Sequence, residues 1–126
     1  LLGMGSFWEG ADFAQQDKVI EVITRLPFDN PKDPFYQKIE SFFSKQGRST
    51  FDSYSLPMTV LRFKQAIGRA QRRPEQRSAI LLMDNRPLVK SYGKLFIKEV
   101  SQEIILKHAP FKLLKEDIQE FLEKDC

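Results

Sequence analysis

KVIEVITRLPF, residues 18–28, decides the fold. The run is rich in β-branched residues, apolar on either side of Glu21, and stops at a proline. An apolar run of this length, closed by a turn former, reads as a mostly buried strand, and such strands belong to parallel sheets. SAILLMDNRP, residues 78–87, is a second run of the same character, ending in polar residues and another proline. LLGMGSFW at the start is a third candidate, weakened by glycines that give a strand nothing to pack.

Helical patterns lie between these runs. In DPFYQKIESFFSKQG, Asp33 is placed to cap a helix, Pro34 to occupy its first position and Gly47 to follow its end. Phe35, Ile39, Phe42 and Phe43 share one face, which predicts a core face, with a docking surface as the lesser alternative. SYSLPMTVLRFKQAIGRAQRR predicts a longer helix capped by Ser55. Two more helices are expected, one over residues 88–102 and one over 111–124, the charges of the last forming a solvated face. Strands that alternate with helices predict an α/β fold, a parallel sheet flanked by helices. LPFDNPKDP is rich in turn formers and reads as the loop after the first strand.

The 126 residues suit one domain, and 41% hydrophobic residues with 11 phenylalanines predict an aromatic-rich core. A net charge of +3 is compatible with nucleic acid without demanding it. One cysteine, Cys126, cannot build a disulfide framework or a thiolate metal site within the chain, and a cytoplasmic setting is the expectation. No apolar run approaches the roughly 20 residues that span a bilayer, so no membrane partner is expected. The start at LLGMGSFWEG, without an initiator methionine, suggests a piece of a longer protein.

On a helical wheel of about 100° per residue, Leu56, Val60, Phe63, Ile67 and Ala70 gather in one sector that should face the sheet. Gln65, Gly68, Arg69 and Arg72 centre on the opposite side, with Leu61 among them. Glycine inside a helix costs about 1 kcal/mol against alanine, a cost tolerated where something must approach the backbone. Arginine suits planar contact with phosphate oxygens. The stripe is therefore either a phosphate-facing edge or an ordinary basic surface. Charged residues also collect at the end of each candidate strand: Glu9 and Asp12, with Gly10 between them, then Arg25, then Asp84 and Arg86. Ligands of open parallel sheets bind beyond such carboxyl ends, although Asp84 and Arg86 also suit a structural ion pair. His108 has no nucleophile near it in sequence and reads as a surface residue.

GSFWEGADF, residues 5–13, resembles motif V of the DinG/XPD branch of superfamily 2 helicases, and QAIGRAQRR, residues 65–73, resembles motif VI, Q-x-x-G-R-x-x-R. ITRLPFDNPKDPF and YSLPMTVLRFKQ between them, and LLMDNR and SYGK after them, are similar to DinG-type proteins of Gram-positive bacteria. The resemblance implies part of a second RecA-like motor domain. Residues 1–28 would hold motif V and the strand after it, 33–47 a helix, 55–73 the motif VI helix, 78–87 a strand and 88–126 the C-terminal helices. It also implies ATP with Mg2+ in a cleft against the first RecA-like domain of the same chain, and DNA, single-stranded, as partner. By match, Arg72 would be the arginine finger, with Arg69 beside it and Gln65 organising the edge. Gly68, Glu9, Gly10 and Asp12 would line the nucleotide, and Ser6, Trp8 and Arg25 are weaker candidates for DNA. Trp8 serves equally as a core anchor. Ala11 departs from the larger aliphatic residue expected there.

The sequence contains no G-x-x-x-x-G-K-[ST], no D-E-A-H-like acidic box and no iron–sulfur cysteine set. The chain alone is thus expected to be inactive, its parent being a DNA helicase. Two alternatives stand beside that reading: a non-catalytic basic nucleic-acid-binding module, and the motor part of an ATP-regulated 3'-5' exonuclease. A self-contained enzyme ranks below both.

Overall fold

The computed structural model describes residues 17–70, 73–100 and 104–124. Strand β1, Lys18–Ile23, pairs in parallel with β2, Arg77–Leu82, in the register Lys18 with Arg77 through Ile23 with Leu82. The ladder continues at both ends: Arg77 N–H donates to the Asp17 carbonyl at 2.9 Å and Met83 N–H to the Ile23 carbonyl at 2.9 Å. The candidate strand at the start of the chain lies outside the described residues.

Between the strands run α1, Pro34–Lys45, a π-helical turn, Phe51–Ser55, and α2, Leu56–Ala70. After β2 come α3, Arg86–Val89, α4, Gly93–Val100, and α5, Phe111–Glu123. Helix α2 packs on both strands and on α4. Ile23, Leu26, Leu56, Phe63, Ala66, Phe96 and Val100 form the core between them. Rings supply much of it. Phe63 meets Phe96 edge-on at 5.5 Å between centroids, and Phe28 stacks on Phe51 at 5.9 Å. Such pairs add directional preference to apolar burial.

Asp33 starts α1 because its Oδ1 accepts the Phe35 and Tyr36 N–H groups at 2.8 and 3.2 Å, two donors with no helical partner. Gly47 ends it at φ +66°. Gly47 N–H donates to the Ser44 carbonyl and Arg48 N–H to that of Phe43, the paired bonds of a Schellman ending. The face expected to be core is not. No α1 residue is buried, and Phe35 and Phe42 are 65% and 58% exposed. Among the described residues α1 touches the body mainly where the Tyr36 hydroxyl meets Ser55 Oγ at 2.9 Å. A shallow apolar groove bounded by Ile39, Phe42, Phe43 and Tyr54 lies beside it.

Three further expectations are corrected. Ser55 does not cap the long helix. It is buried within the helical run, which the π turn extends back to a start where Ser49 Oγ accepts the Asp52 N–H. The inward face of α2 is Leu56, Thr59, Phe63, Ala66 and Ala70, with Val60 and Ile67 only partly buried. Thr59 can be buried because its hydroxyl donates to the Ser55 carbonyl at 2.6 Å, leaving its methyl to pack. The single helix expected over residues 88–102 is two, α3 and α4. They meet where Gly93 lies against Pro87: a Cβ on Gly93 would stand 2.0 Å from the Pro87 carbonyl oxygen.

Candidate functional site

Gln65 and Gly68 lie on the exposed face of α2, and Arg69 is half-buried at its flank. Nothing described comes within 4 Å of where a Gly68 Cβ would be, so no part of this chain described here uses the close approach that glycine permits. Leu61, on the same outward face, is 47% exposed. The outward face of α2 is therefore an uncovered strip of Leu61, Gln65 and Gly68. Arg72 lies outside the described residues, as do Ser6, Trp8, Glu9, Gly10 and Asp12.

The flank of α2 that carries Arg69 runs alongside β1. Arg62, two turns earlier, donates to Asp29 Oδ1 at 2.7 Å and to the Pro27 carbonyl at 3.2 Å, which fastens the helix to the loop after β1. Arg73, just past the helix, donates to Asp17 Oδ1 at 2.8 Å, immediately before β1. Arg69 lies along the helix between these contacts. Burial pushes the Glu21 carboxyl above its ordinary range and the Arg69 guanidinium draws it back down. The helix thus runs antiparallel to β1, with basic residues on one side and acidic residues on the other. Sequence reasoning placed Arg69 on the stripe but missed Glu21, Arg62, Asp29, Asp17 and Arg73. The available signals were an acidic residue flanked by apolar ones within a strand and an arginine seven positions before Arg69.

Arg25 is exposed in the bend after β1, at the strand end where Arg62 docks and away from the middle, where Arg69 lies. The structure does not group it with the stripe. Asp84 and Arg86 form an ion pair. Arg86 donates through Nε to both Asp84 oxygens at 3.0 and 2.9 Å and through a terminal nitrogen to Oδ2 at 2.5 Å. Asp84 Oδ2 also accepts the Leu26 N–H at 2.8 Å, and the Arg86 guanidinium covers the Phe28 ring at 5.0 Å. These hydrogen bonds hold the Asp84 carboxyl at about 2, despite the opposing effect of its burial. The pair ties the ends of both strands together and is structural. Among the described residues no group of three or more His, Cys, Asp or Glu side chains could hold a metal, and no helix is long and apolar enough to cross a membrane.

The described residues thus give a parallel α/β unit whose long helix keeps an amide and an open glycine on its outer face and a half-buried arginine at the flank. Comparison with known proteins specifies the class. Residues 1–103 match the family described as helicase C-terminal domain. The chain is 38% identical over 97 residues to the 3'-5' exonuclease DinG of Bacillus subtilis, covering 77% of this chain and 10% of that protein. It is 33% identical over 97 residues to the ATP-dependent DNA helicase YoaA of Escherichia coli, covering 77% and 15%. To the 3'-5' exonuclease DinG of Staphylococcus aureus strain USA300 it is 35% identical over 121 residues, covering 96% and 12%. The chain belongs to the helicase C-terminal domain family, of the DinG type, and its aligned part spans 10–15% of these relatives' length.

Proposed function

We propose that this chain is the second motor domain of a cytoplasmic, DinG-type, superfamily 2 DNA helicase, and that the outward stripe of α2 faces ATP held against a first RecA-like domain of the same protein. The observation that carries this is the outward alignment of Gln65 and Gly68 along α2, with open space over the glycine and Arg69 half-buried at the flank beside them. A phosphate or a neighbouring backbone can come closer to a glycine than to any other residue. Arg72, one turn after Gly68, is assigned the arginine finger, Arg69 the flanking cation and Gln65 a hydrogen-bonding partner for the edge.

ATP supplies the phosphoryl group that is transferred to water. This chain supplies positive charge against the equatorial oxygens as charge spreads over them, preorganised on a packed helix. Mg2+ would be held mainly by the first domain, as the resemblance to DinG-type helicases implies. Glu9, Gly10 and Asp12 would complete the nucleotide edge, and Ser6, Trp8 and Arg25 would contact single-stranded DNA. The isolated chain, without a phosphate-binding loop, is expected to show no ATP turnover.

The test is DNA-stimulated ATP hydrolysis by the full-length protein, wild type against Arg72→Ala and Arg69→Ala, with DNA affinity measured in parallel. Loss of a cation facing the transferred group should lower kcat by about 10²-fold or more, with DNA affinity unchanged. Unchanged turnover with weakened, salt-sensitive DNA binding would mean that the stripe is a phosphate-backbone contact of a non-catalytic module. The names of the Bacillus and Staphylococcus relatives favour a second reading, in which the motor serves a 3'-5' exonuclease. ATP-dependent degradation of DNA by the full-length protein would distinguish that role from unwinding.

A further inference from the structure

One edge of α1 carries an order that a core-facing helix does not need. Phe35, Lys38, Phe42 and Lys45 follow at i, i+3, i+7 and i+10, which confines them to a sector of about 80° on a helix of about 100° per residue. Rings and cations therefore alternate along this edge, the two lysines about 10 Å apart at the rise of an α-helix. All four residues are exposed. A contiguous apolar face left in water marks a surface that meets something else.

The surroundings point to its chemistry. The Phe42 ring is held edge-on to that of Phe43 at 5.3 Å between centroids, and the Arg48 guanidinium covers Phe43 at 5.1 Å. Beside them the groove bounded by Ile39, Phe42, Phe43 and Tyr54 presents only apolar atoms. It offers a flat ligand a stacking surface and no hydrogen-bonding partner. The cations are uncommitted. Among the described residues Lys64, Lys107 and Lys124 are paired with carboxylates, whereas Lys38, Lys45 and Arg48 form no ion pair. The acidic groups of this segment stand elsewhere: Glu40 lies about 160° round the helix from Lys38, and Asp33 is engaged with the Phe35 and Tyr36 N–H groups. A polyanion built of flat, stacking units matches both halves of the pattern.

We propose that this edge of α1 is a binding surface for single-stranded DNA, with bases stacked on Phe35 and Phe42 and phosphates drawn to Lys38, Lys45 and Arg48. An aromatic face accepts any base, and a groove without polar atoms reads no base edge. The surface therefore holds a strand without regard to sequence, as a motor that steps along DNA requires. Helix α1 is fastened at Ser55, the end of α2 opposite Gly68 and about 20 Å from it along the helix, so the strand and ATP are met at different ends of α2. The inference rests on the reading of this chain as part of a DNA motor, which by itself assigns α1 no contact.

The test is the affinity of the full-length protein for a fluorescein-labelled oligothymidylate, followed by anisotropy across a salt titration, with the melting temperature and oligomeric mass of each variant recorded alongside. Phe42→Leu and Phe35→Leu keep an apolar side chain and remove the π face, and each should weaken binding about tenfold, while Phe42→Trp should keep it. Lys38→Gln combined with Lys45→Gln should weaken binding and reduce the salt slope by about 1.4, the contribution of two phosphates on a single strand. Wild-type affinity in both leucine variants overturns the inference and leaves the motor reading standing. If those variants instead lower the melting temperature or change the oligomeric mass while DNA affinity is kept, the face belongs to another part of the protein or to a second copy, and the inference falls. Weakening that follows the lysines and not the rings also overturns it, since no base is then stacked here. Failure of the wild-type protein to bind the oligonucleotide overturns the motor reading and this surface with it.

Discussion

Two glycines of this chain have opposite reasons to be glycine, and substitution separates them. A Cβ at Gly93 would meet the Pro87 carbonyl oxygen at 2.0 Å, a clash with backbone that no rotamer relieves. Gly93→Ala should therefore cost about 2–3 kcal/mol as overpacking, read as a fall in the midpoint of urea unfolding. At Gly68 nothing described would meet the new methyl group. Gly68→Ala should raise the stability of this domain by about 0.5–1 kcal/mol, because alanine is the better helix former. In the full-length protein the same change should lower ATP turnover, since the space it fills is the space assigned to the approaching partner. A domain stabilised by Gly68→Ala with full turnover would remove the reason for placing a ligand there.

At the scale of the element, helix ends here are set by short-range chemistry and helix faces by what packs on them. Asp33→Ala deletes the acceptor of two N–H groups and should cost about 1 kcal/mol, with fraying confined to the first turn of α1 in hydrogen exchange. That cap was legible in the sequence, since Asp-Pro before an apolar repeat is local information. The fate of the Phe35, Ile39, Phe42 and Phe43 face was not. Periodicity shows that a helix has an apolar side, but not whether another element covers it. The join between α3 and α4 was equally hidden, because the contact of Gly93 with Pro87 is a tertiary one that helix propensity does not register. Ser55 misled for the same reason. A serine before a helical pattern looks like a cap, but this one bonds Tyr36, 19 residues earlier.

Across the whole molecule, the ionisable groups at the sheet pull stability in opposite directions with pH. Asp84 is held at about 2 by Arg86 and the Leu26 N–H, below its ordinary 3.8. Its folded pKa is depressed, so its contribution is present above the unfolded value and is lost as pH falls through the folded one. Wild type should lose about 1–2 kcal/mol between pH 4 and pH 2 from this source, a figure kept low because Arg86 stays partly solvated. Asp84→Asn should flatten that part of the urea-unfolding profile, and an unchanged slope would show that the pair does not join the strand ends as argued. Glu21 runs the other way. Its pKa is raised above 4.5, so the stability it offers is complete at low pH and is lost as pH rises through the folded value.

The class of fold, the places of the two strands, the Asp33 and Gly47 ends of α1 and the outward placement of Gln65 and Gly68 were legible in the sequence, though the strands stop at Ile23 and Leu82, short of their runs, and Arg69 turns to the flank. Each rests on periodicity or on neighbours within a few residues, where chain geometry leaves few options. Tertiary structure decided which apolar faces find a cover, that Asp84 reaches the Leu26 N–H at the end of the other strand, and that Arg62 and Arg73 fasten to Asp29 and Asp17. Those outcomes depend on groups far apart in the chain brought together by packing, with Leu26 meeting Asp84 across 58 residues, and local pattern carries no record of such a meeting.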